Sequence, residues 1–261
     1  MPGFILHLTS AKMLLNQLPD HPHFPYMIAS ENDFMTGSLL PDATANKNRT
    51  HFRNLLYADK MMLWPDLKRF LSSYQNQLAN DLYLGYYFHL YIDKRFFKDY
   101  IPQIVSFYDK EGKITDIRNE ICSVLIHKSN QCISLTDYLS EKYYYGDYTK
   151  MNRYLVEKYQ LPTELYPHLP QNGIEGIHSE DMNGLLSMLK KFMDLSPSYR
   201  TRAFQIEERK ADFGFDDLKS ASLVNRFSFL LIPASVRLLL PVSLFQPQPQ
   251  QGSYQALYNK S

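Results

Sequence analysis

The sequence predicts an all-α fold, a multi-helix bundle, and three observations carry that expectation. Glycine is scarce, at 10 in 261 residues, which argues against a turn-rich sandwich. Several segments repeat apolar residues at spacings of three and four, the period of a buried helix face. No segment alternates convincingly at period two. The length suits one large domain, with or without a small appendage, and such a domain can bury its apolar surface without disulfides.

The elements follow in chain order. Residues 4–17 read as a helix, with Phe4, Leu8, Ala11, Leu14 and Leu15 along one side. Residues 18–50 hold Pro19, Pro22, Pro25, Gly37 and Pro41 and show no helical period, so a long loop is expected there. Loops of that length inside a domain tend to be functional. Pro65 opens a second helix carrying Leu67, Phe70, Leu71, Tyr74 and Leu78. Asp81 reads as the N-cap of a third, through Leu82, Tyr86, His89, Leu90 and Asp93. Further helices are expected over residues 114–128, on Ile114, Ile117, Ile121, Val124 and Leu125, and over 149–159. The last opens at Ser179-Glu180-Asp181, whose charges suit a helix start, and carries Met182, Leu185, Leu186, Leu189 and Met193. Residues 1–226 are read as the domain and residues 227–261 as an apolar, then Gln/Pro-rich extension. From residue 218 onward there is no Asp or Glu, and Pro233, Pro241, Pro247 and Pro249 interrupt the segment.

Composition narrows the function. Hydrophobic residues at 44% and charged residues at 21% are globular values and exclude wholesale disorder. Lys plus Arg (28) nearly equals Asp plus Glu (27), which disfavours nucleic acid as an obligatory partner. The apolar run over residues 227–245 is broken by Pro233, Arg237 and Pro241, so no transmembrane segment is expected. Met1-Pro2-Gly3-Phe4 lacks the positive region of a signal peptide. Cys122 and Cys132 form no CxxC pair and read as reduced, partly buried thiols, so a cytoplasmic location is expected.

The chemistry-bearing residues are His and Asp. His89 and Asp93, four apart on a strongly helical stretch, share one helix face and converge, as two metal ligands must. Gly85, one turn earlier, reads as open space on that face. His7 lies on the first helix, and Asp42 and His51 flank the end of the long loop. Together these five supply N and O ligands from four segments, which suits zinc or a similar ion better than calcium or magnesium.

The early His7, the Gly37-Ser38-Leu39-Leu40-Pro41-Asp42 segment, Thr50-His51-Phe52, and the run Gly85-Tyr86-Tyr87-Phe88-His89-Leu90-Tyr91-Ile92-Asp93 carry a resemblance. In their order and spacing they resemble the bacterial zinc-dependent phospholipase C proteins, with more distant kin among zinc-dependent single-strand nucleases. The resemblance implies a bundle of that type. It implies that Asp42, His51, His89 and Asp93 gather one metal, and that His7 with a bridging Asp93 helps a second. The cofactor implied is Zn2+, one or two ions, with Mn2+ or Fe as alternatives. After Asp93 the chain has only His127, His168 and His178, none followed by Glu at i+4, so a third metal is not expected.

The expected activity is that of a metal-dependent phosphoesterase, a zinc-dependent phosphoric ester hydrolase acting on a small phosphoester or phospholipid-like substrate through activated water. Asp42 is the one catalytic candidate, orienting that water. Two alternatives stand beside it: a non-catalytic metal-binding helical module, and a phosphohydrolase of the HD type, disfavoured because no adjacent His-Asp pair occurs. His21 and His23, among prolines, read as an exposed strip; His127, His168 and His178 read as structural or exposed. Lys47, Arg49 and Arg53 flank His51 and either hold a phosphate or form a solvated basic face. Tyr143, Tyr144 and Tyr145 read as packing, and Asp147 as the start of the helix that follows.

Overall fold

The computed structural model describes residues 3–20, 24, 26–140, 142–144, 152, 155–166, 168–170 and 174–194. Its centre is a helix that is buried nearly all round, α6 (Asp81–Arg95), in which Tyr83 alone from Leu82 to Asp93 is only partly covered. A helix without a polar face must be wrapped by others. α1 (Phe4–Gln17) covers one side with Ile5, Leu8, Ala11 and Leu14, and α5 (Leu67–Tyr74) another with Leu67, Phe70 and Leu71. Phe70 and Tyr86 meet at a centroid distance of 5.0 Å in an aromatic layer between α5 and α6. Both helices start on capping side chains. Asp66 accepts from the N–H groups of Lys68 and Arg69, and Asn80 from that of Leu82. Asp81 is therefore not the cap but the first helical residue, and its Oδ2 accepts instead from the N–H groups of Ala29 and Ser30.

Residues 18–50 are not the long loop that their prolines suggest. They contain α2 (Glu31–Gly37), α3 (Leu40–Ala43) and α4 (Lys47–Thr50). Pro41 sits in the first turn of α3, where a missing N–H costs nothing. α2 crosses α6 backbone to backbone at Gly37 and Gly85. A Cβ on Gly85 would lie 2.1 Å from the Phe34 carbonyl oxygen, and one on Gly37 2.1 Å from that of Leu82. The space at Gly85 is thus filled by α2 and is not open.

The all-α expectation fails beyond residue 104. After a π-helical turn (Phe96–Tyr100) and the short α7 (Ile101–Ile104), the chain forms a three-stranded antiparallel sheet, and the protein is mixed α/β. Strands β1 (Val105–Tyr108), β2 (Ser123–Ile126) and β3 (Gln131–Ser134) pair in sequence order, with Val105 opposite Ile126 and Ser123 opposite Ser134. The helix expected over residues 114–128 is therefore a loop and a strand. Its three-and-four spacing matches no common face: Ile114 is 75% exposed while Val124 is fully buried. Turn chemistry decides the matter. Asp109 Oδ1 accepts from the N–H groups of Glu111 and Lys113 ahead of Gly112 at φ 77°, and Asn130 at φ 53° closes the β2–β3 hairpin.

α8 (Leu135–Tyr138), α9 (residues 155–159) and α10 (Ser179–Asp194) follow. In α10 the expected stripe of Met182, Leu185 and Leu189 is buried, and the helix packs against α3. Tyr143 and Tyr144 pack against the core as expected. Both cysteines are free and exposed, not partly buried. Among the described residues no helix is long and apolar enough to cross a membrane. His21, His23, Tyr145, Asp147, the start of the 149–159 helix and the extension at 227–261 lie outside the described residues.

Candidate metal centre

The five ligand candidates come from α1, α3, the end of α4 and α6, and the fold brings all five together. His7, His51, His89 and Asp93 are each at most 1% exposed. Asp93 stands in the middle: its Oδ1 is 3.4 Å from His7 Nε2, and its Oδ2 is 3.4 Å from His51 Nε2 and 3.8 Å from His89 Nε2. Asp42 Oδ1 lies 3.6 Å from His51 Nε2. His7 and His89 stack face to face, centroids 3.6 Å apart.

Backbone carbonyls fix the tautomers. His89 Nδ1 lies 2.8 Å from the Ser38 carbonyl oxygen, and His51 Nδ1 lies 2.9 Å from that of Lys47. A carbonyl only accepts, so each Nδ1 carries the proton and each Nε2 carries a bare lone pair. Those two Nε2 atoms face one another at 3.1 Å. A pair of opposed lone pairs is repulsive unless a cation or proton sits between them. Burial pulls His89 down to about 3 and His51 down to about 4, so neither imidazole is protonated at neutral pH. Burial by itself raises the Asp93 carboxyl, but contact with His7 and the imidazolium charges that form in acid outweigh it. The group therefore lies below the ordinary carboxylate range. Asp42 lies low for a similar reason: the fields of His89, His7, His51 and Lys47 outweigh its burial. Among the described residues no hydrogen bond satisfies His7 Nδ1, His7 Nε2 or either oxygen of Asp93. A buried ionised carboxylate without a donor costs several kcal/mol or more.

Two overlapping sets, His7–His89–Asp93 and Asp42–His51–His89, have the ligand atoms to hold a metal ion. His89 belongs to both, and its Nδ1 is committed to Ser38. One Nε2 lone pair serves one ion, so a second ion would keep only His7 and Asp93 of the first set.

The local supports lie largely in the backbone. The Gly37–Gly85 crossing carries the Ser38 carbonyl onto His89. Thr50 Oγ1 donates to the Pro41 carbonyl at 2.8 Å, and Tyr86 Oη to the Thr50 carbonyl at 2.6 Å, clamping the turn that presents His51. Phe52, the next residue, takes a left-handed φ of 50° and turns its ring onto Phe70, Tyr74 and Tyr86. The Ser38 and Lys47 carbonyls were not foreseeable from residue identity, since every residue has one. Tyr86 gave one signal, a phenol within an apolar helix that must find an acceptor.

The cluster meets solvent at Asp42, whose side chain is 8% exposed and accepts from Lys47 Nζ at 2.8 Å. The three basic residues near His51 separate. Lys47 stays on Asp42, Arg49 pairs with Glu175 at the surface, and Arg53 reaches Asn48 at 3.3 Å. Burial lowers the Arg53 guanidinium against the opposing fields of Asp93 and Asp42, which places it beside the cluster. Of the remaining histidines, His168 pairs with Asp33 at 3.0 Å, His127 sits at the sheet, and His178 precedes α10; none joins the cluster. Comparison of this chain with family models, curated proteins and solved structures gave no match, so its assignment rests on the geometry of this site.

Proposed function

We propose that the chain is a metal-dependent phosphoesterase of the zinc-dependent phospholipase C type, hydrolysing a small phosphoester or phospholipid-like substrate. One observation carries the reading: the bare Nε2 atoms of His51 and His89 face each other and Asp93 Oδ2, with Asp42 Oδ1 at the solvent edge beside His51 Nε2. A tetrahedral shell with bonds of about 2.0–2.1 Å sets its ligands roughly 3.3 Å apart. The facing atoms here are 3.1, 3.4, 3.6 and 3.8 Å apart, and two of the four are nitrogen. Nitrogen donors favour zinc, with manganese or iron next, over calcium and magnesium. The expected load is one ion, or two if His7 and Asp93 recruit another.

A zinc ion bound there supplies a Lewis acid for a phosphoryl oxygen and a water acidic enough to attack phosphorus near neutral pH. The chain supplies the rest. The Ser38 and Lys47 carbonyls hold both imidazoles in the ligating tautomer. Asp42, at the solvent edge, orients an entering water and accepts its proton. Lys47, its side chain 40% exposed and its Nζ already on Asp42, places a cation where an anionic phosphoester approaches. The two exposed free thiols suit a reducing compartment, the cytoplasm.

A second reading, a structural metal centre without catalysis, is favoured by the burial of His7, His51, His89 and Asp93. One experiment separates the two. Protein purified without chelator is assayed for metal by mass spectrometry and for hydrolysis of bis(4-nitrophenyl) phosphate. Activity lost with chelator and restored by zinc or manganese supports the phosphoesterase. A metal-loaded protein inert on phosphomonoesters, phosphodiesters and phospholipids establishes the structural centre, and a metal-free folded protein rejects both.

A further inference from the structure

We propose a second, metal-independent catalytic site: Ser106 and His127, oriented by the Gln103 carbonyl, which transfer the acyl group of a small apolar ester to Ser106 and then to water. β1 buries Val105 and Phe107 and turns Ser106 to the other face. His127 follows β2 directly, and its backbone N–H donates to the Ile104 carbonyl at 3.0 Å, which fixes its place beside β1. His127 Nδ1 lies 2.9 Å from the Gln103 carbonyl oxygen, an atom that only accepts. In the neutral ring the proton is therefore on Nδ1 and the lone pair on Nε2. Ser106 Oγ lies 2.8 Å from that Nε2 and must be the donor. Nucleophile, base and orienting acceptor thus stand in one line, the arrangement that activates a serine.

The surroundings suit a substrate. Both side chains reach the surface, where water enters. Ser106 also lines a groove of about 460 Å³ with Met62, Pro102, Ile114, Thr115 and Asp116. The apolar part of that groove, made by Met62, Pro102 and Ile114, fits a short acyl chain beside the activated hydroxyl. The chemistry balances. Ser106 Oγ bonds to the ester carbonyl carbon as its proton passes to His127 Nε2. The ester C–O bond breaks, and that proton goes to the departing alcohol. Water then adds to the acyl-serine while giving a proton to Nε2, and the serine leaves with that proton as the carboxylic acid is released. No residue of the metal cluster takes part.

The test uses the full chain with chelator present, a fluorophosphonate probe and 4-nitrophenyl butyrate. We expect one phosphonyl adduct, located on Ser106 by peptide mass spectrometry, and ester turnover indifferent to chelator. Ser106→Ala abolishes both, and His127→Ala slows labelling on the order of 10²-fold or more. Absence of an adduct on the folded protein, an adduct on another serine, or equal labelling of Ser106 in His127→Ala overturns the proposal. The adduct map of the unsubstituted chain decides even if a variant fails to fold.

Discussion

Replacing Gly85 with alanine tests the link between fold and site with a single methyl group. The added Cβ would stand 2.1 Å from the Phe34 carbonyl oxygen, where ordinary contact begins at 3.4 Å, so α2 and α6 must part by about 1.3 Å. The obstacle is backbone on both sides, with no flexible side chain to yield. Overpacking of this kind costs about 3 kcal/mol. In a domain of this size each kcal/mol lowers Tm by about 2–4 °C, so the expected loss is roughly 6–12 °C by circular dichroism. The same separation pulls the Ser38 carbonyl from His89 Nδ1, now at 2.8 Å, and frees the imidazole to take the wrong tautomer. Loss of such a supporting hydrogen bond weakens metal binding about 10–100-fold. Gly184→Ala, in α10 with open space around its Cβ, is the control and should be neutral or stabilising by up to about 1 kcal/mol. A Gly85→Ala protein that melts within 2 °C of its parent and keeps its metal would refute the close crossing and its role in holding His89.

His89→Ala and Asp93→Ala should each remove most bound metal, read by mass spectrometry, while far-UV circular dichroism remains helical; full occupancy in both would displace the site. Asp42→Ala should retain part of the metal, because His51, His89 and Asp93 remain, yet lower phosphodiester turnover by about 10²-fold or more; unchanged turnover removes Asp42 from catalysis. Zinc at a thousandfold excess over Kd should raise the stability of chelator-treated protein by about 4 kcal/mol, seen as a shift in Tm. Ending the chain near Phe245 should leave metal content and melting unchanged, because Gln246 to Ser261 has no helical period, two prolines and no carboxylate; a truncated chain that unfolds would make the tail part of the domain.

The sequence exposes the ligands more readily than their surroundings. His89 and Asp93 are legible because four residues on a helix is a fixed geometry; α5 and α10 are legible because each buries a regular stripe, and α1 and α6 because their apolar residues recur at helical spacing. The sheet escapes the same reasoning. Its strands are four residues long, β2 buries only Val124 fully, and isoleucines at three-and-four spacing over a loop and a strand imitate a helix face. Residues 18–50 mislead differently. Pro41 looks like a breaker and is instead the first turn of α3, so the segment holding Asp42 is helical. Gly85 looks like room for a ligand and is room for the backbone of α2. The tautomer locks on His51 and His89 depend on two main-chain carbonyls, which no side-chain pattern announces.

These details bear on why the cluster exists. An apolar cap over α6 could be built from leucines at no electrostatic cost, whereas this one seats a buried carboxylate whose nearest ring nitrogens stand off at 3.4 Å, and two lone pairs at 3.1 Å. Such an arrangement costs several kcal/mol, a large share of the 5–15 kcal/mol that holds a domain together. The backbone does nothing to relieve it. Ser38 and Lys47 could accept from a protonated imidazole equally well, yet burial keeps both rings neutral and aims their lone pairs at one another. A divalent cation between these groups would offset all of the costs at once. The rest of the core does not depend on it. The Gly37–Gly85 crossing and the Phe70–Tyr86 layer are apolar contacts that stand with or without an ion. A metal bound there would therefore add stability to a structure that has a core of its own, unlike a small domain whose fold depends on its ion.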